Sequence, residues 1–156
     1  MARENKKSNV VARNRKANHD YYIKDTIECG IVLTGTEIKS VRQGRVSLKE
    51  AFARIDPQGE VWLYQSNIPV YKEGNRYNHE PDRPRKLLLK RREIARLIKA
   101  TQREGYTLVA LKMYIKKGFA KLLLAVAQGK KLHDKRQTLK ERDMKRDIQR
   151  ALKNRG

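Results

Sequence analysis

Tyr106-Thr-Leu-Val-Ala-Leu-Lys-Met-Tyr-Ile115, then Lys116-Lys117-Gly118, then Phe119-Ala-Lys-Leu-Leu-Leu-Ala-Val-Ala127 is the stretch on which the fold turns. Two apolar runs of strand length flank a short basic turn with a glycine, the pattern of a β-hairpin. In the second run Leu122, Leu124 and Val126 alternate with Leu123, Ala125 and Ala127. Apolar side chains at both parities predict a strand covered on both faces. Upstream, residues 51–55 and 60–64 flank Asp56-Pro57-Gln58-Gly59, a strong turn signal, and predict a second hairpin. Residues 21–33 carry Tyr22, Ile23, Ile27, Ile31 and Leu33 and are interrupted at Gly30, which predicts a strand with a bend or bulge there. Short strands that close on one another relieve the exposed-edge problem of a small open sheet. The fold class is therefore mainly β.

Two helices are predicted within this framework. Residues 36–42 place Ile38 and Val41 on one face, and residues 90–103 place Ile94, Leu97, Ile98 and Thr101 at helical spacing, with Gly105 where a C-terminal cap belongs. Their apolar stripes face a core and carry no chemistry. Residues 70–85, with Pro81, Pro84 and a polar run, read as an irregular excursion over the surface.

Charge divides the chain. Lys and Arg number 38 against 17 Asp and Glu, a net charge of +21 over 156 residues. Residues 1–18 carry +5 and residues 128–156 carry +7, so the ends hold more than half the excess. The expected organisation is a basic N-terminal arm over 1–18, a β-domain over 19–130, and a basic tail over 131–156. Such an imbalance calls for a polyanionic partner, and nucleic acid fits because each neutralised phosphate releases counterions. A membrane surface fits poorly, since no apolar run approaches a span and no lipidation signal is present. Residues 1–8 are basic without a hydrophobic signal core, which argues against export and for a cytoplasmic location. Cys29 is the only cysteine; it excludes an internal disulfide or a zinc site built on several thiolates, and reads as a small buried apolar residue. Residues 134–153 are rich in helix formers, but Met144, Ile148 and Leu152 make only a thin stripe. The tail is expected to be disordered alone and helical on a negatively charged partner.

Several motifs carry candidate chemistry. Asn14-Arg15-Lys16-Ala17-Asn18-His19-Asp20-Tyr21 offers Arg15 and Lys16 to phosphates and His19 or Tyr21 to bases; a solvated tail with a core tyrosine fits equally. In Thr34-Gly35-Thr36-Glu37-Ile38-Lys39-Ser40, the pattern favours Glu37 as a helix-capping carboxylate. Glu28, an acid within a strand of a basic protein, either accepts from base amines or pairs with a lysine. Gln128-Gly129-Lys130-Lys131-Leu132-His133-Asp134-Lys135-Arg136 is a phosphate-binding candidate. His133 next to Asp134 has no nucleophile nearby, and His19, His79 and His133 lie in separate segments, so neither catalysis, a metal nor a cofactor is expected.

These blocks occur in a familiar order. Asn14-x-Lys-Ala-x-His19-Asp-Tyr21, Glu28-x-Gly30-Ile-x-Leu-x-Gly35-Thr-Glu37-Ile-Lys39-Ser40-x-Arg42, Asn67-Ile68-Pro69-x-Tyr71, Asn78-His79-x-Pro81-x-Arg83-x-Arg85-Lys86-Leu87-Leu88-Leu89, Gly105-Tyr-Thr-Leu-Val and Gly129-Lys130-Lys131-x-His133-Asp134-Lys135-Arg136 together resemble the family of small protein B, the SsrA-binding proteins. The resemblance covers nearly the whole chain. It implies a closed antiparallel oligonucleotide-binding-like β-barrel with about three short helices. It also implies a protein that binds the transfer-RNA-like domain of transfer-messenger RNA and delivers it to stalled ribosomes; a monomer is expected. There the tail would enter the decoding centre and message channel of the small subunit. On the same ground Asn14, Lys16, His19, Tyr21, Glu28, Gly30, Glu37, Lys39 and Leu88 are expected on the RNA side, with Gly129, Lys130 and Lys131 at the domain exit; Arg15, Arg42 and Lys90 are expected among the RNA-binding residues as well. His133, Asp134, Lys135 and Arg136 are expected to act in the ribosome. Lys90 departs from the family pattern, which has Asn or His there; lysine donates to phosphate but cannot read a base edge as an amide does. The alternatives from other classes are a structural ribosomal protein, which would sediment with subunits, and a small histidine-dependent ribonuclease.

Overall fold

The computed structural model describes residues 9–73 and 78–130. The elements are β1 (Val10–Arg13), α1 (Arg15–Asp20), β2 (Tyr21–Ile31), α2 (Gly35–Arg42), β3 (Phe52–Ile55), β4 (Val61–Tyr64), β5 (Arg85–Leu88), α3 (Arg91–Thr101), β6 (Tyr106–Lys116) and β7 (Phe119–Gly129). Seven antiparallel strands and three helices make this a mainly β chain. Strand β6 pairs with β3, β3 with β4, β4 with β5, β5 with β2, β2 with β7, and β7 pairs again with β6; β1 adds beside β3 on the same edge of β6.

The long β6–β7 hairpin turns where expected, with Lys116 opposite Phe119. Lys117 and Gly118 both sit at positive φ, 52° and 82°, the pair of left-handed residues that lets a two-residue turn follow the strand twist. Leu122, Leu124 and Val126 enter the main core with Leu108, Ala110 and Met113. Ala125 and Ala127 meet Val109 and Ala17 in a smaller cluster beneath α1. Both faces of β7 are thus covered, one by the core and one by a helix. The second hairpin is held by Asp56, whose Oδ1 accepts from the amides of Gln58 (3.0 Å) and Glu60 (2.8 Å) while Oδ2 accepts from Trp62 Nε1 at 2.9 Å.

The irregularity expected at Gly30 lies elsewhere. The register of β2 on β7 shifts between Ile23 and Asp25, while Gly30 stays in the ladder, facing Leu88 on one side and Lys121 on the other. Glycine is needed there for space: an added Cβ would sit 3.3 Å from Leu88 Cβ. β1, α1 and β5 are all short and were not distinguishable in the sequence as elements. β1 and the first four residues of α1 lie inside the segment read as a basic arm.

Candidate nucleic-acid interface

The face of β2, β5 and the β6–β7 turn gathers several expected residues. Gly30 forms its floor. Leu88 is 53% exposed and Phe119 69% exposed, and with Lys121 they border a shallow cavity of about 320 Å3 that continues past Leu33 to Thr34 and Gly35 at the start of α2. Apolar side chains this open beside an ammonium offer a flat surface for a ribose or base edge and a charge for phosphate. Phe119 and Lys121 were not singled out from the sequence; their place opposite Leu88 depends on the strand pairing.

Glu28 lies along β2 from this floor, half-exposed, and accepts from Lys116 Nζ at 3.3 and 3.4 Å. Burial, and then the negative charge and hydrogen bond of Glu28, push the Tyr114 hydroxyl up to about 12. Cys29 beside it is 2% exposed, and its thiol is pushed up to about 12 by burial first and then by Glu93 and Glu28. It is an inert core residue.

The Asn14 motif has two sides. Asn14 is buried, its amide nitrogen donating to Leu111 O at 2.7 Å and its Nδ2 to Ala110 O at 2.9 Å. The β6–β7 register shifts between Ala110 and Lys112, so Asn14 satisfies the carbonyls that the bulge frees. Ala17, on the inner face of α1, packs with Val109, Ala125 and Ala127, and Tyr21 packs against this cluster. Arg15 and His19 point outward, His19 with an 87% exposed side chain and its Nδ1 2.9 Å from Asp20 Oδ1. Lys16 pairs with Glu50 at 3.3 Å and Asp20 at 3.8 Å. Gly129 pairs with Tyr21, and Lys130 Nζ donates to Asn18 O at 2.9 Å, which brings the exit of β7 against this motif.

Glu37 is fully buried, with 0% exposure. Thr34 Oγ1 accepts from the Glu37 amide, and Glu37 Oε1 accepts from the Thr34 amide at 2.8 Å, a complete capping box for α2. The same carboxylate receives Arg85 Nε at 2.6 Å, Arg83 Nε at 3.0 Å and Arg83 Nη2. Burial drives its pKa up, but the hydrogen bonds from Arg83 and the Thr34 amide, with the charge of Arg85, outweigh it and hold the carboxyl below the usual range. Arg85, itself 0% exposed, also donates to Ser66 O, Ser66 Oγ, Glu80 O and Pro81 O. The carboxylate expected on the RNA side therefore has no open face; it pins α2 to the segment before β5. From α2 itself Arg42 is exposed, and Lys39 lies 5.3 Å over the Tyr71 ring. Lys90 is exposed at the N-cap of α3, its amide donating to Glu93 Oε1 at 2.8 Å. Lys131, His133, Asp134, Lys135 and Arg136 lie outside the described residues.

Among the described residues no group of three His, Cys, Asp or Glu is arranged to hold a metal ion, and no helix is long and apolar enough to cross a membrane. Residues 11–154 match the family described as SmpB protein. The chain belongs to the SmpB family. The SsrA-binding protein of Shouchella clausii is 57% identical over 152 residues, 97% of each chain. That of Oceanobacillus iheyensis is 59% identical over 145 residues, 93% of this chain and 94% of the relative, and that of Listeria monocytogenes is 59% identical over 146 residues, 94% of each. A solved chain described with the words tmRNA-SmpB and the center of the bacterial ribosome is similar at a TM-score of 0.65 and 46% identity, over 76% of this chain and 82% of that one.

Proposed function

We propose that this SmpB-family chain binds the transfer-RNA-like domain of transfer-messenger RNA and delivers it to stalled ribosomes for trans-translation, as a cytoplasmic, monomeric, non-enzymatic partner of RNA and ribosome. The observation that carries the reading is the near full-length likeness to SsrA-binding proteins, joined to an exposed Leu88–Phe119 patch beside Lys121. The ladder that leaves β6 through β3 and returns through β7 supports a closed oligonucleotide-binding-like barrel. In this reading the Gly30–Leu88 face holds the RNA, Arg15, His19, Lys39, Arg42 and Lys90 add outward contacts, and Asn14, Tyr21 and Glu37 position the elements that carry them. Gly129, Lys130 and Lys131 take phosphates at the exit. The tail over 131–156, with His133, Asp134, Lys135 and Arg136, acts in the small-subunit decoding centre and message channel and becomes helical there.

The test pairs the full chain with a version ending at Leu132. Binding to the transfer-RNA-like domain is measured at physiological salt with transfer-RNA competitor, followed by tagging on stalled ribosomes in vitro. Retained RNA binding with tagging lost on truncation is expected. A full chain that does not prefer this RNA over transfer RNA would overturn the reading.

A further inference from the structure

Away from the Gly30–Leu88 face, the start of β2 and the helix α3 enclose an open groove of about 590 Å3, walled by Lys24, Asp25, Lys99, Gln102, Arg103 and Tyr106. Its charge is one-sided. Arg92, Arg96 and Lys99 follow one stripe of α3 at spacings of four and three, and Arg103 stands one turn further along the chain. Arg96 pairs with Asp25 at 3.6 Å, which ties the helix to β2. Among the described residues no ion pair or hydrogen bond engages the side chains of Arg92, Lys99 or Arg103, and all three are exposed. The acids nearby are Asp25, already paired, Glu93, which caps α3 through the Lys90 amide, and Glu104. From Arg92 to Lys99 the stripe runs about 10 Å at helical rise, and Arg103 follows two residues past the end of the helix.

Two residues before the groove-lining Lys24 on β2 stands Tyr22, 37% exposed. Lys24 Nζ lies 5.6 Å and Lys130 Nζ 5.2 Å from its ring centroid. An exposed tyrosine with two ammonium groups near its ring, next to a basic groove, can stack a base while the cations hold its phosphates. The chain's own tail is a poor occupant: residues 131–156 carry ten basic and four acidic residues, and like charges repel.

We infer that this groove is an additional RNA site, in which the Arg92–Arg96–Lys99–Arg103 stripe takes the phosphate backbone of an unpaired strand and Tyr22 stacks one of its bases. The inference rests on the reading of the chain as an RNA-binding protein, and it adds a surface that the Gly30–Leu88 face does not reach. The strand comes from transfer-messenger RNA or from ribosomal RNA, which share this chemistry.

The experiment uses the full chain with Lys99→Ala/Arg103→Ala, with Tyr22→Ala and with Tyr22→Phe, each checked for an unchanged melting curve. Affinity is measured from low to high salt for two probes, the transfer-RNA-like domain and small ribosomal subunits. On one probe the double variant is expected to lower the slope of log K against log salt by roughly 1.4 to 1.8, two phosphate contacts. On that probe Tyr22→Ala should weaken binding about fivefold or more, with Tyr22→Phe near wild type. The probe that responds identifies the source of the strand. Unchanged slopes and affinities on both probes would overturn the inference. Loss of preference for the transfer-RNA-like domain by the wild-type chain would instead refute the proposed function, and is read separately.

Discussion

Replacing Glu37 by Gln should unfold this chain well below the wild-type temperature, through the cations it leaves behind. Glu37 and Arg85 are both fully buried, and the carboxylate also holds Arg83 and the Thr34 amide. An amide keeps the shape and can still cap α2, but it leaves the Arg85 guanidinium charged in the interior without a counter-charge. Removing one partner of a buried ion pair costs about 3–5 kcal/mol. At roughly 4 °C per kcal/mol for a domain near this size, the melting temperature falls by about 12–20 °C. The pH dependence follows from the lowered carboxyl pKa. A group whose folded pKa is depressed contributes stability that is fully present above its unfolded value, about 4.3, and is lost as pH falls through the folded value. The gap between wild type and Glu37→Gln is therefore widest at neutral pH and narrows below about pH 4. Thermal melts followed by circular dichroism from pH 7 to pH 3 measure both. A Glu37→Gln melt within about 2 °C of wild type at pH 7, or a gap that widens in acid, would refute the argument.

Leu88→Asp should weaken binding of the transfer-RNA-like domain by at least about tenfold, because it sets a carboxylate against phosphate, with the melting temperature nearly unchanged at this exposed site. Competition binding and a melt check the two halves. Asn14→Ala should cost about 1–3 kcal/mol by leaving the Ala110 carbonyl at the β6 bulge without its donor; a denaturant titration reads this, and an unchanged midpoint would count against the clamp. Cys29 should resist thiol-modifying reagents at pH 8 in the folded chain and react only on unfolding, followed by mass spectrometry; burial and the thiol's raised pKa both predict it.

Both hairpins were legible because their turn chemistry is local: Lys116-Lys117-Gly118 and Asp56-Pro57-Gln58-Gly59 sit between apolar runs. Helices α2 and α3 were legible from spacing, within two residues at their ends. The four-residue strands β1 and β5 were not, because each is held mainly by partners distant in sequence, Tyr114 to Lys112 for β1 and Leu63 to Val61 for β5. The six-residue α1 is too short to show a period, and only Ala17 is buried on it. At the interface, exposure was the hidden quantity. Nothing in Arg83-x-Arg85 tells which arginine is buried, and Glu37 looked like a cap from its spacing and like an RNA contact from the resemblance. The geometry makes it a cap and an internal anchor. The sequence alone does not join Tyr22 and Lys24 into a cluster, because Lys130, more than a hundred residues away, completes it.

The length of β6 also separates the two ends of the described chain. Asn9 hydrogen-bonds to Ile115 near the β6–β7 turn, whereas Lys130 follows the strand that pairs Gln128 with Tyr106 at the far end. Nine strand steps at about 3.3 Å put these points roughly 30 Å apart. A fluorophore or affinity handle fused ahead of residue 9 therefore joins the domain far from the point where residue 131 departs. Energy transfer between dyes at residues 9 and 130 would serve as a ruler along β6, shortening only if that strand frays or slips.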